Sequence, residues 1–181
     1  MECALMIAVG TVLAQIKIFT MPYGGSVTLV SMLPFILVSF RHGVKWGLFT
    51  GFINGLLQLI TDFYAPPSGT LIALVAMILL DYLLAFMALG LAQGFAKPFK
   101  NRLAGVAVGT ATVCFLRFIC SFLSGALLWG SYQSYYVWAA GLSVWEYSII
   151  YTGTYMLPEL IIASICACLL VKLAPKFFAA Q

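Results

Sequence analysis

Two ionisable residues stand inside apolar runs: Asp81 in "MILLDYLLAF" and Arg117 in "CFLRFICS". A charge in hydrocarbon is costly, so an ionisable residue within a membrane span marks a functional site by default. Asp81 can neutralise Arg117 between helices, or face a cavity and meet a cationic or hydrogen-bond-donating ligand. The two readings are compatible, because Arg117 can hold the carboxylate in place. Helical spacing extends the second charge into a stripe. Arg117, Ser121, Ser124 and Gly125 fall at i, i+4, i+7 and i+8 on one face, with Trp129 a further turn along. Ser and Gly on such a face suit close helix packing. The indole suits a flat or cationic ring. Asn54 and Gln58 form an i, i+4 amide pair, either between helices or lining a pocket. Glu159, next to Pro158, is within reach of Lys17 in a structural pair.

Other chemistries lack their residues. The chain has no G-x-x-x-x-G-K-[ST] phosphate cradle and no G-x-S-x-G nucleophile motif. Its histidine, His42, lies in a basic turn and is expected to be solvated. No His, Cys and carboxylate set has metal-ligand spacing. The five cysteines, Cys3, Cys114, Cys120, Cys166 and Cys168, read as small apolar packing residues. The expectation is a binding or transport protein rather than an enzyme, with no cofactor, no metal and no nucleic-acid partner. No inverted repeat is visible, so a chain this small reads as a subunit rather than a stand-alone secondary transporter.

These residues need elements to position them, and composition says what kind. The 181 residues are 64% hydrophobic and 8% charged, with mean hydropathy +1.08. Ordinary soluble domains are about 45–50% apolar and about 25% charged, so lipid must be the solvent for most of this surface. One membrane domain over residues 1–181 is expected, all-α and polytopic. Six apolar segments at about 3–20, 27–40, 44–61, 70–96, 103–129 and 154–174 give six transmembrane helices. The first reads as a retained span, since it lacks the charged start of a signal peptide. With a rise of about 1.5 Å per residue, Asp81 and Arg117 lie roughly 16 and 18 Å below the same end of their helices.

Lys and Arg are one-sided. Arg41, Lys45, Lys97, Lys100, Arg102, Lys172 and Lys176 fall in three segments on one side, and the opposite connections carry none. The positive-inside rule then places both termini in the cytoplasm. The outer connections are rich in rings: Tyr132, Tyr135, Tyr136, Trp138, Trp145 and Tyr147 share one of them. They form either an interfacial belt or a lid over a ligand. A non-transport structural subunit is the alternative from a different class, and explains the one-sided rings less well.

The segments "GGSVTLVSMLPFILVSFRHGVKWGLFTGFINGLLQLI", "LLDYLLAF", "FLRFICSFLSGALLWGSY" and "YTGTYMLPE" occur in order and resemble the thiamine-specific substrate-binding (S) components of energy-coupling factor vitamin transporters. The resemblance covers about residues 4–170. It implies a six-helix S-component bundle in a bacterial cell membrane, with an outward-facing pocket under the loops. It also implies a membrane coupling subunit and two cytoplasmic ATPase subunits as partners, making an ABC-type importer. Docking to the coupling subunit would use small residues on the first helix, here Ala4 and Ala8. Tyr82, Gly125, Trp129 and Tyr147 match positions that line the family's thiamine site. Asp81 stands at a pocket carboxylate, which is Glu in some members. Ser121 falls where the family commonly has His, Thr152 where it commonly has Asn, and Asn54 where some members place Trp. Those departures leave a second ligand in view, another small heterocycle such as a thiamine pyrimidine precursor.

Overall fold

The computed structural model describes residues 1–22, 24–67 and 69–178. Tyr23 and Ser68, in two of the ring-rich connections, and the side chains of Lys176 and Phe177 lie outside the described residues. The fold is all-α with one small hairpin. Helix α1 spans Glu2–Gln15, strand β1 Lys17–Thr20, strand β2 Ser26–Thr28, α2 Leu33–His42 and α3 Val44–Thr61. Helix α4 runs Leu71–Ala96, α5 Arg102–Leu128 and α6 Val144–Leu173. The last three are long and apolar enough to cross a membrane.

Helix starts follow the capping residues. The Thr70 side chain accepts from the Ala73 N–H to open α4, and Asn101 accepts from the Leu103 N–H at 2.9 Å to open α5. Ser143 and Glu146 form a reciprocal capping box, so α6 begins at Val144. It therefore starts ten residues before the segment expected at 154, because a polar cap outranks the hydropathy of the residues behind it.

Two further segments depart from expectation. The first apolar run is not helical to residue 20: α1 ends at Gln15, and Lys17–Thr20 pairs antiparallel with Ser26–Thr28. Ile18 and Thr20 are β-branched, and Gly24 and Gly25, at φ +100° and +86°, supply the reversal that L side chains rarely adopt. The second run, 27–40, is divided: β2 takes its start and the ten-residue α2 the rest. Its residues are apolar because protein surrounds them: positions 31–40 are all buried.

α2 forms the centre of the core, where Phe35, Ile36 and Phe40 meet Phe86 and Leu89 of α4, Val113 of α5 and Met156 of α6. α3 and α4 approach backbone to backbone. Gly47, Gly51 and Gly55 recur every fourth residue of α3, and a Cβ on each would strike the backbone of Gly90, Phe86 and Tyr82 respectively. α4 is itself deformed twice. It widens to a π-helix over Ile78–Leu84 and tightens to a 3-10 turn over Ala88–Leu91. Ser39 of α2 enters the second break, donating to the Gly90 carbonyl at 2.6 Å and accepting from the Gln93 N–H at 3.1 Å.

The two ends of the bundle differ. At one end the Glu2 carboxylate bridges Arg41 Nε at 2.9 Å and His42 Nε2 at 3.0 Å, and Arg102 donates to the Pro175 carbonyl. His42 is therefore held by a carboxylate instead of standing free in water. The other end holds the hairpin, the 62–70 connection and the 129–143 connection.

Candidate ligand-binding site

Below the hairpin end lies a cavity of about 190 Å³. Its floor and walls come from every long helix. α4 contributes Asp81, Tyr82 and Phe86, and α5 contributes Arg117, Ser121, Gly125 and Trp129. α6 adds Tyr147, Ser148, Tyr151, Thr152 and Tyr155, and the hairpin and its flanks add Lys17, Thr20, Gly24, Gly25, Ser26 and Thr28. Gln58, Asp62 and Tyr64 close the side at the end of α3.

Asp81 sits on the π-helical turn, where the extra residue per turn re-aims side chains. Its Oδ2 accepts from Ser124 Oγ at 2.5 Å and from the Trp129 indole Nε1 at 3.2 Å. Among the described residues no donor bonds Oδ1, which stays available to a ligand. Equal depth left two readings of Asp81, a pair with Arg117 or a carboxylate facing a cavity. The structure shows no ion pair between Asp81 and Arg117: Arg117 Nη1 lies 3.7 Å from Glu159 Oε2, and its guanidinium carbon stands 4.4 Å from the Phe86 ring centroid. Equal depth on two helices says nothing about azimuth, and Glu159 on α6 occupies the nearer face. The expected Glu159–Lys17 pair gives way for the same reason. Lys17 Nζ meets Asp62 Oδ1 at 2.7 Å, and both line the cavity.

The cavity wall thus carries Lys17, Asp62, Arg117 and Asp81. The first two neutralise each other, and Arg117 faces Glu159. Among the described residues, Asp81 is the charged group lining the cavity that makes no ion pair. The chamber therefore suits a ligand with one positive charge, or a donor-rich edge, held against flat rings.

The rings divide into two groups. Trp129 stacks on Tyr132 with centroids 5.8 Å apart, and both line the cavity. Tyr147 also lines it, backed by Trp138 at 5.6 Å and Tyr136 at 5.9 Å. Tyr135 and Trp145 are exposed and turn outward. The 129–147 segment is thus part wall and part outer surface.

Of the residues singled out from sequence, Asp81, Tyr82, Arg117, Ser121, Gly125, Trp129, Tyr147 and Thr152 all line this cavity. Asn54 does not. It is fully buried in α3, whereas Gln58, one turn later, reaches the wall. Ala4 and Ala8 lie exposed on one side of α1, beside Leu5, Val9 and Val12. Sequence reasoning missed Ser148, Tyr151 and Tyr155. The spacing 148, 151, 152, 155 is an amphipathic stripe on α6 that the late placement of that helix hid. Tyr151 donates to the Gly24 carbonyl at 2.8 Å, tying α6 to the hairpin turn.

An all-α membrane bundle enclosing a charged, ring-lined chamber defines a class of small-molecule binding or transport proteins. Within that class the chain belongs to the thiamine transporter protein family (Thia_YuaJ), whose sequence model matches residues 1–179. It is 36% identical over 187 aligned positions to the thiamine transporter ThiT of Bacillus subtilis, covering 97% of this chain and 91% of that one. It is 26% identical over 163 positions to ThiT of Lacticaseibacillus paracasei, covering 83% and 75%. The solved structure of ThiT from Listeria monocytogenes superposes with a TM-score of 0.78 at 23% identity, over 99% of this chain and 96% of that one, which establishes the shared fold.

Proposed function

We propose that the chain is the thiamine-capturing S component of an energy-coupling factor importer, and that the chamber is its vitamin site. Thiamine is a small, flat cation with a donor-bearing aminopyrimidine. The observation that carries the reading is Asp81, the unpaired carboxylate of the cavity, fixed by Ser124 and Trp129 so that Oδ1 is left for the ligand. Trp129, Tyr132 and Tyr147 offer ring faces, and Tyr82, Arg117, Ser121, Gly125 and Thr152 complete the contact surface. In this reading the hairpin end faces outward and the end holding both termini faces the cytoplasm, as the distribution of Lys and Arg favours. The coupling subunit would dock on the exposed Ala4 and Ala8 face of α1, and two ATPase subunits would drive release inward.

Titration of the purified protein with thiamine, followed by tryptophan fluorescence, tests the proposal. Saturable quenching that shifts to higher thiamine concentration in Asp81→Asn supports it, and no quenching by thiamine rejects it. Ser121, Ser148 and Thr152 put hydroxyls along one wall, each able to donate or accept. They favour a second reading in which a free pyrimidine precursor is the ligand. Binding of the pyrimidine half as tightly as thiamine would select that reading.

A further inference from the structure

Arg117 presents a contradiction if the ligand is a cation, because it adds a like charge to the same chamber. Its Nε and Nη1 are buried and make no hydrogen bond among the described residues, and neither does Glu159 Oε2 facing them. Glu159 is 5% exposed. Its other oxygen, Oε1, is already committed to the hairpin, accepting from the Thr28 N–H at 2.9 Å and from Thr28 Oγ1 at 2.5 Å. The carboxylate is thus clamped on one side by a strand of the hairpin and faces the guanidinium at 3.7 Å on the other. Among the described residues, that facing carboxylate is the one within ion-pair distance of the Arg117 charge.

We infer that Glu159, which does not line the cavity, is a specificity-determining positioning residue: it cancels the field of Arg117 so that the chamber accepts a cation. The inference rests on the reading of the chamber as a cation site. Coulomb interaction between charges in a partly screened interior decays slowly enough for an uncompensated Arg117 to act across the chamber. Removing the Glu159 charge should then penalise a cationic ligand specifically. A purely structural role, through the Thr28 clamp, would penalise ligands regardless of charge.

The test measures, by calorimetry on the full-length protein in nanodiscs, the affinity for thiamine and for its neutral isostere with the thiazolium nitrogen replaced by carbon. Glu159→Gln keeps an oxygen for Thr28 and should lower the thiamine-to-isostere affinity ratio by about tenfold. Arg117→Gln in that background should restore the ratio. Thr28→Val, which removes one clamp and no charge, should shift both ligands alike. If Glu159→Gln does not fold, Arg117→Gln alone should raise the ratio by a similar factor. A Glu159→Gln protein that loses both ligands equally, or a ratio unmoved by Arg117→Gln, overturns the inference while thiamine binding by the wild type still stands. A wild type that binds no thiamine overturns the cation-site reading and the inference with it.

Discussion

Asp81 and Trp129 are joined across two helices: the indole N–H donates to the carboxylate at 3.2 Å, on the oxygen that Ser124 also holds. One ring thus lines the chamber and gives its N–H edge to the charge. Asp81→Asn should weaken thiamine binding by roughly 1.5–3 kcal/mol, the usual worth of a hydrogen bond to a charged group. Isothermal calorimetry reads this directly, and an unchanged affinity would remove Asp81 from the site.

Ser124 is buried outside the cavity lining, yet it sets the carboxylate. Ser124→Ala should therefore cost affinity by about 1 kcal/mol without any lost ligand contact. Because the effect acts through Asp81, Ser124→Ala added to Asp81→Asn should cost little more. Additive losses in that double-mutant cycle would show the two residues to be independent.

The stripe Gly47, Gly51, Gly55 leaves no room for side chains against α4. Gly51→Leu must displace the backbone at Phe86 and Met87, below the π-helical turn that carries Asp81. The expected loss is at least about 1–3 kcal/mol of stability, seen as a lower melting temperature in detergent. A protein that melts like the wild type would contradict the close approach of α3 and α4.

Lys17 and Asp62, on the cavity wall, are each one-quarter exposed and pair at 2.7 Å. A pair so placed contributes under about 1 kcal/mol, so Asp62→Asn should leave global stability nearly unchanged. Amide exchange at Phe19, Thr20 and Val27 of the hairpin should nevertheless quicken. Exchange confined to its wild-type rate would show that the ion pair does not restrain the hairpin.

The chemistry was more legible in the sequence than the architecture. Asp81 and Arg117 stood out because a charge inside an apolar run has few innocent explanations. The stripe through Ser121, Gly125 and Trp129 followed from helical spacing alone. Partners were less legible, since matching depth along two helices leaves their rotation free. Hydropathy also ran 27–40 together as one helix, where a strand, Ser26–Thr28, precedes the helix Leu33–His42. The hairpin over 17–28 was hidden for a related reason: Ile18, Phe19 and Val27 are as apolar as the helix before them. Glycine pairs and the caps at Thr70, Asn101 and Ser143 held the information that hydropathy lacked. The widened turn around Asp81 left no sequence mark.

Residues 33–40 of α2 are buried within their own chain, whereas Ile72 of α4 stands 84% exposed. The two places report on different worlds. A reporter group in α2 would sense the integrity of the folded body and be blind to lipid, detergent or a docked subunit. One at Ile72 would sense only the surroundings. Read together during a transport cycle, they separate a molecule that changes its shape from one that merely changes its orientation.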